Sequence, residues 1–312
     1  MVHADVNRIA RDIRTMKIRG AGRIGRAAAT ALKIVAKKSK AKSPAEFMKE
    51  INRVASFLIA TRPTAVSLPN AVRFVVSKSA LESGADVAAL RKIIVSRADE
   101  FIHTSNNAVK IIGEIGARRI SKGDILMTHC NSQCALSVIK TAFKQGKHIE
   151  VFVTESRPAR QGYISARELS KAGVPTTMIV DSAVRHFIRD IDKVIVGADS
   201  IAANGAVINK IGTSQIALIA HEARVPFFVA AESYKFHPGT LVGGLVKIEE
   251  RDPKEIVDPK KFPGIKIRNP VFDVTPPEFV DLIITEQGIV PPQAAYTLLQ
   301  EHFEWKPGEE LI

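Results

Sequence analysis

Two hydrophobic rhythms follow one another along the chain. Up to about residue 118 the apolar positions recur at helical spacing. Val6, Ile9, Ile13 and Met16 form one stripe, with Arg8, Arg11 and Asp12 in its polar intervals. A second helix is predicted over 27–38. A third opens at Ser43-Pro44, a cap followed by a first-turn proline, and its stripe is Met48, Ile51, Val54, Phe57 and Leu58. It ends near Arg62-Pro63. Residues 85–118 read as one long or broken helix with Leu90, Ile93, Ile94, Ala98, Ile102 and Val109 on its buried side.

From Ser121 the rhythm changes. Short runs that are apolar throughout occupy 125–129, 149–155, 176–181, 193–199 and 226–231, and helical segments such as 164–173 and 212–225 lie between them. Continuous apolar runs separated by single helices predict a parallel sheet buried on both faces. The expected fold class is therefore α/β. A helical N-terminal domain over 1–120 precedes a Rossmann-like parallel-sheet domain over 121–312.

Composition narrows the function. Of 312 residues, 46% are hydrophobic and 25% charged, as in ordinary globular proteins, which excludes disordered and collagen-like classes. The net charge is +13, and most of it lies in residues 1–50, which points to a nucleic acid, an anionic small molecule or a solvated basic face. The basic region lacks interleaved aromatic residues, so a nucleic-acid partner is not expected. Two cysteines exclude a disulfide-built scaffold, and no leader pattern or long apolar run appears; a soluble, cytoplasmic protein without membrane contact is expected.

Four segments carry candidate chemistry. Residues 20–25 read Gly-Ala-Gly-Arg-Ile-Gly, but a helix rather than a strand precedes them and no acidic residue follows in 37–42, so no nicotinamide cofactor is expected. A glycine-rich loop before a helix, beside Arg19, Arg23 and Arg26, suits a phosphate; a plain helix–helix turn is the alternative. In THCNSQC (128–134) a strand hands over to a helix, where the next helix's N–H groups would favour a Cys130 thiolate as base or nucleophile. A small buried hydrophobe is the alternative for such a cysteine. His129, Cys130 and Cys134 make an incomplete metal set, so no metal is expected. Asp199 ends the 193–199 run, where partial burial would raise its pKa and let it act as an acid; capping the following turn is its alternative role. Asn209 and Lys210 follow, and Lys235 adds a cation after the next strand.

Together RGAGRIG (19–25), RPTAVSLPNAV (62–72), THCNS (128–132), TESRPARQG (154–162), GADSIAANGAVINKIGTSQIA (197–217) and FDVTPPEFVDLIITEQG (272–288) cover nearly the whole chain. In this order they resemble the superfamily of initiation factor 2B regulatory subunits, methylthioribose-1-phosphate isomerases and archaeal ribose-1,5-bisphosphate isomerases, and within it the last branch. The resemblance implies an aldose–ketose isomerase acting on ribose 1,5-bisphosphate, with Cys130 and Asp199 catalytic and no cofactor. It implies substrate contacts at Arg19, Gly20, Ala21, Gly22, Arg62, Ser132, Gln133, Cys134, Asn209, Lys210 and Lys235. A homo-oligomer built from dimers, up to a hexamer, is implied as well. A methylthioribose-1-phosphate isomerase and a non-catalytic factor subunit remain the alternatives.

Overall fold

The computed structural model describes residues 3–15, 17–18, 20–62, 65–76, 85–238, 248–303 and 305. Met16 and Arg19 lie outside them. The chain forms two compact units. The first holds the described residues of 1–107, 234–239 and 297–312; the second holds those of 108–233 and 240–296. The single boundary expected at 120/121 falls past the last residue of a helix that runs through 107/108, and two later segments rejoin the first unit.

In the first unit α1 (Ala4–Arg14), α2 (Ala21–Lys38), α3 (Pro44–Ile59) and α4 (Ser67–Val75) lead into α5 (Val87–Ala117). Ser43 caps α3 by accepting the Glu46 N–H. Its buried stripe is Phe47, Ile51, Val54, Ala55 and Leu58 rather than one containing Met48 and Phe57, which are only half-buried. Neighbouring aromatic and aliphatic residues at 47/48 and 57/58 leave the phase ambiguous by one position, and packing against α2 selects it. Glycines 22 and 25 are helical, contrary to the expected loop: only Gly20, the N-cap of α2 at φ +89°, needs the left-handed conformation. Gly22 is required by closeness, since a Cβ there would stand 2.7 Å from the Tyr234 hydroxyl. The C-terminal return includes buried Trp305, whose Nε1–H donates to Asn70 Oδ1 at 3.0 Å under the Arg73 guanidinium.

In the second unit β1 (Ile125–Thr128), α6 (Gln133–Lys144), β2 (Glu150–Thr154), α7 (Gly162–Lys171), β3 (Thr176–Ile179), a short α8 (Val184–Phe187) and β4 (Lys193–Val196) alternate as predicted. Then come β5 (Ser200–Ala202), β6 (Val207–Lys210), α9 (Thr213–Ala223) and β7 (Phe227–Ala230). The short β8 (Phe236–His237) belongs to the first unit, and β9 (Phe272–Thr275), β10 (Leu282–Thr285) and β11 (Gly288–Val290) precede α10 (Ala295–Phe303). The main sheet runs β11-β10-β7-β4-β1-β2-β3, parallel except for the β10–β11 hairpin. Leu126, Val151, Val153, Ile195, Phe228 and Ile284 are buried in its core, each worth about 1.5–3 kcal/mol of burial. Strands β5, β6 and β9 form a separate antiparallel ladder.

The strand order fixes where a ligand goes. From β1 the chain steps to β2 and β3 on one side, then returns to β4 and β7 on the other. Beyond the carboxyl ends of β1 and β4 the connections part in opposite directions, and such a switch point leaves a crevice.

Candidate active site

Both predicted catalytic residues sit at that switch point, Cys130 just after β1 and Asp199 just after β4. The two loops are in contact: a Cβ on Gly197 would meet Ser132 Oγ at 2.3 Å, so only glycine lets the β4 loop pass the N-cap of α6. Asp199 is tied to β6 by its backbone N–H, which donates to the Ile208 carbonyl at 2.9 Å. That tie brings the hairpin carrying Asn209 and Lys210 to the same rim.

The electrostatics differ from expectation at two points. The Cys130 thiol is pushed up to about 11, first by burial; the Asn131 backbone N–H and the Lys210 charge pull it down, while Asp199 and Asp181 push it up. Cys130 is thus a thiol at neutral pH, not the expected thiolate. Helix α6 starts only at Gln133, and desolvation outweighs the nearby donors. Asp199, expected to be partly buried, is exposed. It stands beyond the strand end, where apolar neighbours no longer cover it. Lys210 is buried, 6% exposed, with its ammonium 5.1 Å from the Phe272 ring centroid; burial lowers its pKa, and Cys130 and Asp199 oppose that.

Beneath Cys130 lies a buried polar network that sequence reasoning missed. His129 Nε2 lies 2.9 Å from the Ile211 carbonyl, which only accepts, so Nε2 carries the proton. Burial lowers the His129 pKa, and the neutral ring takes the Thr154 hydroxyl on Nδ1 at 2.6 Å. Asp181, after β3, accepts the Ser156 N–H on Oδ1 and the Arg157 N–H on Oδ2, both at 2.7 Å. Cys130, Ser156 and Arg160 have φ of +64°, +61° and +56°, a left-handed conformation that costs a residue with a Cβ about 1–2 kcal/mol. Strain of this kind gathers at functional sites. The TESRPARQG motif was the sequence's one sign of this loop.

The remaining predicted residues separate. Ser132 caps α6, accepting the Ala135 N–H at 3.3 Å. The Gln133 amide is exposed and donates to Glu168 at 3.0 Å, and Cys134, 2% exposed, packs in the apolar core. Their side chains are thus engaged elsewhere, and what these two positions offer the rim is backbone at the start of α6. Asn209 is buried and donates to Thr213 Oγ1 at 3.0 Å. Gly20, Ala21, Gly22, Arg62 and Lys235 belong to the first unit, where the Gly22 backbone lies against Tyr234, the residue before Lys235.

Asp273 supports the rim from β9, where it pairs with Asn209. Its Oδ2 accepts the Gly212 and Ser214 N–H groups at 2.7 and 3.1 Å, capping α9, while buried Oδ1 has no hydrogen-bond partner among the described residues. Burial raises its pKa to about 6. Because the folded pKa exceeds the ordinary value, the group's contribution is full below about pH 4 and is lost as pH rises through 6; above that its charge costs at most about 3 kcal/mol. Asp273→Asn is accordingly expected to raise the melting temperature at pH 8 by several degrees and to leave it unchanged near pH 4. A lower midpoint at pH 8 in thermal denaturation contradicts this account.

Fold and site define a doubly wound α/β protein with a thiol and a carboxylate facing a buried lysine at the switch point. The chain belongs to the Initiation factor 2 subunit family, whose profile matches residues 17–292. It is 56% identical over 307 residues to ribose 1,5-bisphosphate isomerase of Thermococcus kodakarensis, covering 96% of this chain and 95% of that protein. Among solved structures it resembles the translation initiation factor eIF-2B of Pyrococcus horikoshii OT3, with TM-score 0.73, 36% identity, and 93% and 98% of the two chains covered. It also resembles 5-methylthioribose 1-phosphate isomerase of the same organism, with TM-score 0.71, 32% identity, and 96% and 87% covered. No helix among the described residues is long and apolar enough to cross a membrane.

Proposed function

We propose that this protein is an aldose–ketose isomerase that converts ribose 1,5-bisphosphate into ribulose 1,5-bisphosphate. The observation that carries the reading is the pairing of Cys130 and Asp199 at the switch point beside buried Lys210. Similarity to the Thermococcus isomerase over almost its whole length supports the choice of substrate.

A glycosyl phosphate has no free aldehyde, so the ring must open. Asp199 gives a proton to the ring oxygen as the C1–O bond breaks, and Cys130 takes the C2 proton; the electron pair forms the C1–C2 double bond of a phosphoenolate. The Cys130 proton then goes to C1, and the proton on the C2 oxygen returns to Asp199, leaving the ketone and both groups reset. The C1 phosphate stays in place, and no redox cofactor or metal takes part. The thiol titrates near 11 with the Lys210 charge already pulling it down, so the base is the minor thiolate form, its proton released to water.

Arg62, Lys235 and the Gly20–Gly22 backbone, with Arg19 from outside the described residues, hold phosphate in this reading; Asn209 and Lys210 hold substrate beside Cys130. A charge-assisted contact is worth about 1.5–3 kcal/mol, so Arg62→Ala is expected to raise KM roughly ten- to a hundredfold with a smaller effect on kcat. The protein is read as a cytoplasmic, dimer-based homo-oligomer. A coupled assay comparing ribose 1,5-bisphosphate with methylthioribose 1-phosphate tests the function. Turnover of the bisphosphate alone is expected; preference for the methylthio sugar, or no turnover of either, overturns the reading.

A further inference from the structure

Cys130 keeps its left-handed conformation although both of its backbone polar groups have left the regular ladder. Each is held by a serine hydroxyl from another element. The Cys130 N–H donates to Ser156 Oγ at 2.7 Å, and the Cys130 carbonyl accepts from Ser165 Oγ at 2.7 Å. Neither serine is accessible to solvent. Both are themselves secured. Asp181 holds the Ser156 N–H at 2.7 Å, and the Asn131 amide donates to Ser165 Oγ at 3.0 Å, closing a ring around the residue after the cysteine. Ser165 sits in the first turns of α7 and Ser156 in the loop after β2, so the clamp ties the β1 loop to both.

A glycine would adopt this turn without strain, but a glycine carries no thiol. Where chemistry needs a side chain at φ +64°, the surrounding structure must supply the interactions that hold it. Two buried hydrogen bonds to one peptide unit on each side of Cys130 do this here. We infer that Ser156 and Ser165 are positioning residues for proton transfer, a two-hydroxyl clamp that holds the Cys130 backbone left-handed and thereby sets where its thiol stands. The inference rests on the reading of Cys130 as the group that takes the C2 proton. The groups that act electrostatically on the thiol are Lys210, Asp199 and Asp181, and neutral His129, whose Nδ1 also lies 3.3 Å from Ser156 Oγ, precedes it; Ser165 touches none of these four, so its variants isolate the clamp.

The test uses full-length Ser156→Ala, Ser156→Gly and Ser165→Ala, with two readouts. Steady-state kinetics on ribose 1,5-bisphosphate should show kcat reduced about 10–100-fold, the cost of a small misplacement of a reacting group, with KM within about twofold. Ser156→Gly removes the strain at φ +61° together with the hydroxyl, and is expected to be as slow as Ser156→Ala. Iodoacetamide alkylation at pH 8, followed by mass spectrometry, should be about tenfold faster at Cys130 once the loop relaxes and the thiol is better solvated. Cys134, buried in the core, should stay unmodified. Turnover falling while thiol reactivity rises supports the clamp. Wild-type kcat in the alanine variants, or unchanged alkylation at Cys130, overturns it. If Ser165→Ala unfolds, Ser165→Cys decides: it keeps a side chain there with a weaker donor, so reduced kcat supports the clamp and wild-type kcat overturns it. Alkylation needs no substrate, so it still judges the clamp if wild-type protein fails to isomerise the bisphosphate, an outcome that sinks only the functional reading.

Discussion

Replacing Cys130 with serine is expected to abolish almost all turnover while ribose 1,5-bisphosphate still binds. The phosphate contacts assigned to Arg62 and Lys235 do not involve the thiol, so calorimetric affinity should change little. Loss of a general base costs about 10²–10⁴-fold, and a serine hydroxyl is far harder to ionise than a thiol. The pH dependence makes the test sharper. With the free thiol near 11, the thiolate fraction rises about tenfold per pH unit below that value, so alkylation of Cys130 by iodoacetamide without substrate should speed up about tenfold per unit between pH 7 and 9. The serine variant should not be modified at that position. Cys134→Ser puts a more polar hydroxyl among the apolar side chains of the core, where polar groups are costly to bury; it should lower the melting temperature and leave kcat nearly intact. Equal loss of turnover in the two variants, both still folded, would sink the assignment of the base.

The contrast between these cysteines marks where sequence reading stops. Both stand in one seven-residue motif, and only packing separates the partly accessible Cys130 from the buried Cys134. The parallel sheet was legible because strands covered on both faces are apolar throughout, and β1, β2, β3, β4 and β7 fall within the predicted runs. The β5–β6–β9 ladder was not, since its strands SIA, VINK and FDVT mix polar with apolar residues and lack the continuous apolar run that marks the main sheet. Site positions at strand ends could be inferred from the fold class; site ionisation could not. Whether Cys130 is a thiol or a thiolate depends on how much apolar surface surrounds it against one lysine 80 residues away, and that balance is set by tertiary packing. Likewise nothing local joins His129 and Ser156, although both stand in quoted motifs, to Ser165 and Asp181. Hydroxyls and imidazoles are common, and these become a network only when β1, β2, β3 and α7 are placed side by side.

Asp199→Asn is the complementary test, and its expected loss is as large. Asparagine keeps the shape of the side chain and the backbone tie to Ile208, so the β4 loop and the β5–β6 hairpin should survive unchanged. What is lost is a transferable proton. Without it the ring oxygen leaves C1 as an alkoxide, and a missing general acid costs about 10²–10⁴-fold in kcat. KM should move little, because the contacts that hold the phosphates are made elsewhere. Asp199 is exposed, and substrate closing over it brings a dianionic phosphate and excludes water, both of which favour the protonated carboxyl. Two measurements separate this role from that of a turn cap. A cap should lower the melting temperature on substitution and spare kcat; an acid should leave the melting temperature alone and remove turnover. Near-normal kcat in Asp199→Asn, whatever its stability, returns Asp199 to the turn and leaves ring opening without its proton donor.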